Sequence, residues 1–323
     1  MRVRRDARQA GGFAVGICAA LVAMLSVHGY ARPGQGAADE GARLVRGTID
    51  IHVHSGPDTV ERALDGIEAA KFARAKGMRA IVLKNHLDPT GPMAVLARKE
   101  APGLEVYGGV DLNLSVGGMN PAAVEHMTEI LGGPGRMVWM STNDAEFVVR
   151  TAKQNRPFVS VARDGVLLPE TKAVIAVIAK HGLAMATGHT SAVEALMLIR
   201  EARAQGVTHI VVTHAINMPA PGMNIAQMKE AASLGAFLEF TGGPSASPAD
   251  QAKLDRFADA IRQVGPQFCI LSSDLGQKGS ILPADGLAAS LVELKKRGFT
   301  EDELAAMSRR NPAQLLGLPP AQP

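Results

Sequence analysis

The sequence predicts an α/β protein of a single domain, a (β/α)8 barrel of the TIM type, on three observations. From Thr48 onward a unit recurs: a short apolar strand, a polar or glycine-rich turn, an amphipathic helix, and a glycine before the next strand. Most repeats run under about 35 residues, and strands that alternate with helices favour parallel pairing through right-handed crossovers. No Gly-x-Gly-x-x-Gly turn follows the first strand, which ranks a doubly wound sheet behind the barrel.

Taken in order, the first strand is expected at Ile49 to Val53, where aliphatic residues alternate up to His52-Val53-His54 and Gly56-Pro57 halts the run. The others are expected at Arg79 to Leu83, Glu105 to Val110, Met137 to Met140, Leu183 to Ala186, His209 to Val212, Phe237 to Phe240 and Phe268 to Leu271. Helical periodicity lies between them at Asp65 to Lys76, Met93 to Glu100, Pro121 to Leu131, Asp144 to Asn155, Glu170 to His181, Ala192 to Gln205, Ile225 to Leu234 and Pro248 to Val264. The interval between the fourth and fifth strands is long. It holds a hairpin with its turn at Asp164-Gly165, which as an insert after a barrel strand is expected near the mouth. Gly117-Gly118 and Gly242-Gly243 are expected to be turns. Helices at Asp285 to Arg297 and Glu301 to Arg310 close a barrel spanning residues 48–318, after an extension at 32–47 and before a tail at 319–323.

Residues 1–31 are expected to be a secretory signal peptide. Arg2, Arg4, Arg5 and Arg8 make a basic start, Gly11 to Val27 is apolar, and Gly29-Tyr30-Ala31 resembles a small-x-Ala cleavage site. The processed chain would then be periplasmic or secreted, with no membrane segment. Of 34 basic and 31 acidic side chains the signal takes four and one, so the remainder is balanced. With aromatic residues at only 4% and no basic cluster, nothing suggests a nucleic-acid surface. Cys269 alone survives processing, so no intramolecular disulfide is expected. The expected partner is a small-molecule substrate, with a homo-oligomer left open.

In such a barrel, functional side chains lie at the C-terminal ends of the strands. Strand one ends in His52 and His54, strand two in Lys84-Asn85-His86, strand five in His189, strand six in His214 and strand eight in Asp274. Imidazoles two apart on an extended chain share a side. With two more histidines and a carboxylate, they make a donor set suited to Zn2+ or a similar divalent ion.

His52-Val53-His54, His189, His214 and Asp274 in this order resemble the metal-binding pattern of the amidohydrolase superfamily. Asn311-Pro312-Ala313-Gln314-Leu315-Leu316-Gly317-Leu318 resembles the closing helix of those enzymes. The resemblance covers about Thr48 to Leu318, and it implies a metal-dependent hydrolase in which a metal-activated hydroxide cleaves an amide, lactone, ester or related bond. Asp274 would exchange the proton, and a second metal ion or His214 would polarise the substrate. One departure concerns the bridging ligand. Many binuclear members carry a Lys or Glu after strand four, whereas this strand ends Trp139-Met140-Ser141-Thr142, and Lys84 ends strand two instead. The expected arrangement is two ions bridged by carboxylated Lys84. As an ammonium Lys84 would pair with Asp274 or Asp111, or bind a substrate anion, leaving a single ion on His52, His54, His189 and Asp274 with His214 turned toward substrate.

His86, Asp111, Asn113, Trp139, Arg163 and Glu239 are the substrate-contact candidates, weighed against supporting roles; for Trp139 the alternative is rim packing. The competing functions are a single-metal decarboxylase or lyase on the same scaffold and a non-catalytic metal-binding protein.

Overall fold

Short aliphatic runs, each followed by a helix, fold as eight parallel strands that close into a barrel. The computed structural model describes residues 35–217, 219–242 and 248–320; the expected signal at 1–31, Gly243 and the last residues of the tail lie outside the described residues. The strands are β1 (Ile49–His54), β2 (Ala80–Lys84), β3 (Glu105–Asp111), β4 (Gly135–Trp139), β7 (Ala184–Ala186), β8 (Ile210–Val212), β9 (Phe237–Thr241) and β10 (Cys269–Ser272), hydrogen-bonded in that order. The expected hairpin is β5 (Ala162–Arg163) and β6 (Val166–Leu167), antiparallel, with both turn residues Asp164 and Gly165 at positive φ.

Helices α1 (Gln35–Leu44), α2 (Gly66–Ala75), α3 (Gly91–Glu100), α4 (Pro121–Glu129), α5 (Glu146–Thr151), α6 (Pro169–His181), α7 (Ala192–Ala204), α8 (Ile225–Ser233), α9 (Pro248–Val264), α10 (Pro283–Lys296), α11 (Glu301–Ala305) and α12 (Asn311–Leu315) complete the chain. Four start on capping boxes, Asp65/Glu68, Ser191/Glu194, Asn224/Gln227 and Thr300/Glu303, which satisfy the first free backbone N–H groups. α5 is shorter than Asp144 to Asn155. The Asp144 carboxylate is taken by the Leu114 amide at 2.9 Å and by Arg156 at 2.5 Å, so the helix begins past it. Residues 32–47, read as a plain extension, contain α1, which packs Gly41 against Ala288 and Val292 of α10. No helix among the described residues is long and apolar enough to cross a membrane.

Alternation along the strands divides two apolar layers. Ile81, Leu83, Val106, Val138, Met185, Ile210, Val212, Leu238 and Leu271 face the helices. Ile49, Ile51, Val82, Tyr107, Met137, Trp139, Ala186, Val211 and Ile270 fill the lumen, and Ala313, Leu315 and Leu316 of the closing helix plug its lower end. Gly109 is fixed by this packing: a Cβ there would lie 2.5 Å from Trp139 Cζ3 and 2.3 Å from the Met137 carbonyl oxygen.

β1 departs from simple alternation. Asp50 aligns with Ile81 but Val53 with Leu83, so three steps on β1 oppose two on β2, a bulge. Asp50 is therefore turned out among Val53, Leu64, Ala73, Ile81 and Ala284, while His52 and His54 reach the mouth. Its Oδ1 accepts from the amides of His52 (3.1 Å) and Ser273 (3.0 Å), across the seam where β10 meets β1. Burial raises its pKa to about 6 against these hydrogen bonds. The seam is completed by Asp274 N donating to His52 O and His54 N to Leu275 O, both 2.9 Å.

Replacing Asp50 by Ala strands two buried amides, so Asp50→Ala is expected to cost about 2–4 kcal/mol in urea unfolding, and Asp50→Asn, which keeps the acceptor, clearly less. Equal losses would remove the carboxamide-replaceable acceptor role assigned to Asp50.

Candidate metal centre

The bulge and the seam together set the site. His52 and His54 end β1, His189 follows β7, His214 follows β8 and Asp274 follows β10. Neighbouring imidazole centroids are 5.2 Å apart for His52/His54, 5.1 Å for His52/His214 and 5.2 Å for His189/His214. One ligand atom each from His52, His214 and Asp274 lies within 4.8 Å of the others. His214 and Asp274 both adopt left-handed backbone, φ 54° and 53°, a conformation costing of order 1 kcal/mol or more that the surrounding contacts must enforce.

His52 is held from both sides. Its Nδ1 is 3.0 Å from Glu239 Oε1, which also accepts 2.6 Å from Ser272 Oγ, while Glu239 Oε2 accepts from the His214 amide at 3.2 Å. His52 Nε2 lies 3.0 Å from Asp274 Oδ1 without hydrogen-bond alignment, and His54 Nε2 is 3.2 Å from the same oxygen. His214 is oriented by Thr241 Oγ1, 2.9 Å from Nδ1. Burial opposes charge on His52, but Asp274 and Glu239 overcome it and carry the pKa up to about 9. Burial carries His54 down to about 3, with the charges of Lys84 and His52 adding to the effect. Asp274 is kept well below the ordinary carboxylate range: burial works against ionisation, and His52 and His214 outweigh it.

These residues fit a divalent cation on the chemistry of their free atoms. His52 Nε2, His54 Nδ1 and His189 Nε2 are buried with no hydrogen-bond partner. Such buried polar atoms are costly unless something completes them. Once a cation displaces the proton that Asp274 and Glu239 favour on His52, imidazoles with an anionic carboxylate are a set suited to zinc and similar metals.

A second group lies beside the first. Lys84, fully buried, has Nζ 3.0 Å from Asp111 Oδ2 and 5.4 Å from the Trp139 ring centroid. His86 Nδ1 is 3.2 Å from the same oxygen and 2.9 Å from Thr142 Oγ1, and its ring lies 4.8 Å from His54. Asp111 is drawn far down: burial raises it, but Lys84 and His86 prevail.

Four of the substrate candidates take other roles. Trp139 is 1% exposed and floors the lumen under His52, so its ring is no stacking surface for substrate. Asn113 spends its amide on His86 O, Thr142 and Ser141, tying the loops after β2, β3 and β4 together. Glu239 is engaged by His52 Nδ1 and the His214 amide. Arg163 is exposed on β5 and shares no hydrogen bond or ion pair with the cluster; its charge acts on Glu146. Asp50, Thr241, Ser272 and Thr142 were absent from the sequence expectation. The signal for Thr241 and Ser272 was available, since polar residues at lumen-facing positions of apolar strands have to answer to something polar.

Glu239→Ala is expected to weaken zinc binding about 10–100-fold in competition with a chelating dye, and Glu239→Gln less, because His52 loses the partner that orients it. Unchanged affinity in both variants would remove that role.

Solved structures of low sequence identity share the fold. A mutant form of organophosphorus hydrolase from Deinococcus radiodurans is 18% identical over 86% of this chain and 94% of its own, with a TM-score of 0.58. An amidohydrolase from Pseudomonas aeruginosa is 13% identical over 87% and 98%, TM-score 0.57. A structure from the engineering of organophosphate hydrolysis out of a weak promiscuous lactonase template is 17% identical over 86% and 97%, TM-score 0.54. No curated protein matches the chain. The match over residues 47–239 means that the chain belongs to DUF6282, a family of unknown function.

Proposed function

We propose that this protein is a metal-dependent hydrolase of small molecules. The observation that carries the reading is the convergence of His52, His214 and Asp274 on one point, with His54 and His189 presenting buried, partnerless nitrogens beside it. His52, His214 and Asp274 would hold the cation, with His54 and His189 as neighbouring donors. A bound divalent ion supplies Lewis acidity, which acidifies water toward neutral pH and polarises the bond to be cleaved.

The remaining chemistry belongs to side chains. Asp274 stays ionised, takes the proton of the attacking water on its carboxylate and returns it to the leaving group. Glu239 accepts from His52 Nδ1 and so keeps Nε2 directed at the cluster. His214 is held by Thr241, whose hydroxyl lies 2.9 Å from Nδ1. The fold likeness to organophosphorus hydrolase, lactonase and amidohydrolase structures supports an ester, lactone, amide or phosphoester as the bond.

We read the centre as holding a single ion. Lys84 Nζ lies 3.0 Å from Asp111 Oδ2, and carboxylation would replace this ion pair by two anions set against each other. A two-ion centre bridged by carboxylated Lys84 is the second reading, favoured by the lysine's burial next to His54 and His86. The export signal expected at residues 1–31 supports action in the periplasm or outside the cell.

Chelation is expected to abolish hydrolysis found in a screen of lactones, N-acyl amino acids and phosphoesters, and added zinc to restore it. Asp274→Asn is expected to lower kcat by about 10²–10⁴-fold with metal content retained. Full turnover in that variant would overturn the proton-transfer role. Elemental analysis is expected to find one ion per chain; two, with added CO2 mass on Lys84, would favour the bridged centre.

A further inference from the structure

α9 follows β9, so its first turns lie at the mouth end of the barrel. Lys253, in its second turn, reaches back to the end of β9. A Cβ at residue 242 would lie 2.9 Å from Lys253 Nζ; the position is a glycine at φ +117°. Gly242 directly follows Thr241, whose hydroxyl orients His214. The ammonium is therefore drawn across the strand end next to the candidate metal centre.

Its surroundings are unusual for a lysine. Of the lysines that are buried or half-buried among the described residues, Lys76 pairs with Asp285, Lys84 with Asp111, and Lys295 with Glu40 and Glu301. Lys253 has no carboxylate within ion-pair distance among the described residues, and only the Phe257 ring face 5.2 Å from Nζ. Burial lowers its pKa, while Asp274 and Asp250 act in the opposite sense and Arg256 adds to the lowering. A cation kept partly out of water, with no carboxylate of the described residues at ion-pair distance, is poised to receive one.

We propose that Lys253 is a specificity-determining residue and that the substrate carries an anionic group, a carboxylate or its equivalent, on the β9 side of the bond to be cleaved. The proposal rests on the hydrolase reading of the centre. A ring-face contact alone accounts for the stem of Lys253 lying on Phe257. It leaves unexplained a charge brought to the glycine that borders Thr241.

Hydroxamates bind metal centres and supply probes that need no known substrate. The full chain loaded with zinc is titrated calorimetrically with the monohydroxamates of succinic, glutaric and adipic acids and with neutral alkyl hydroxamates of matching length. At least one acid is expected to bind about tenfold or more tightly than its neutral match, the scale of a charge-assisted hydrogen bond. Lys253→Met, which keeps the stem against Phe257, is expected to erase that difference without weakening the neutral probe, and Lys253→Arg to keep most of it. Neutral probes that bind with no preference for the acids, or a preference that survives in Lys253→Met, overturn the assignment of Lys253 alone. If no hydroxamate binds and the chain takes up no zinc, the metal-centre reading fails and the proposal with it. Zinc uptake without binding of any probe overturns the proposal while leaving the metal centre in place.

Discussion

The joint between the last strand and the first governs this molecule. A barrel closes only if β10 finds β1, and here the ladder is short. The Asp274 amide bonds His52 O, the His54 amide bonds Leu275 O, and Asp50 spans the gap with one oxygen shared by two amides. Three of the five candidate donors, His52, His54 and Asp274, lie in this joint. A chain unable to complete it would lose the carboxylate and two of the imidazoles of the site along with closure. The bulge at Asp50 serves the same end, since it lets one residue staple from outside while its neighbours two and four places on reach the mouth.

Around the donors the charges fall into two groups. On one side Asp274 and Glu239 draw positive character onto His52, while burial keeps His54 neutral. On the other, Lys84, Asp111 and His86 satisfy one another at the end of β2 and β3. Trp139 lies beneath both, screening them from the lower lumen. Left-handed backbone at His214 and Asp274 marks where the strand ends turn inward. Neither position is a glycine, so the conformation is imposed by Thr241, Glu239 and the seam against the local preference.

Much of this was legible in the sequence. Eight apolar runs spaced by helical periodicity specify the barrel because period two and period 3.6 are local properties, and the five donors stand out because each ends such a run. What stayed hidden depended on distant partners. Alternation alone assigns Asp50 to the same face as His52, and only the β1 bulge, set by pairing with Ile81 and Leu83, separates them. Trp139 looks like a rim residue until Gly109 on β3 is seen to leave the space that receives its ring. Glu239 looks like a substrate contact because nothing in its neighbourhood along the chain reveals that His52 stands 3.0 Å away. α1 was missed in a short segment whose apolar residues find their partners on α10.

The stopper formed by Ala313, Leu315 and Leu316 has a consequence for biosynthesis. These residues follow every strand in the chain, yet they seal the lower opening against Ile49 and Ile51 of the first. Until they emerge from the ribosome, a nascent barrel has a wet, unsealed base. The strands alone therefore cannot finish the interior, which waits for the segment that follows them.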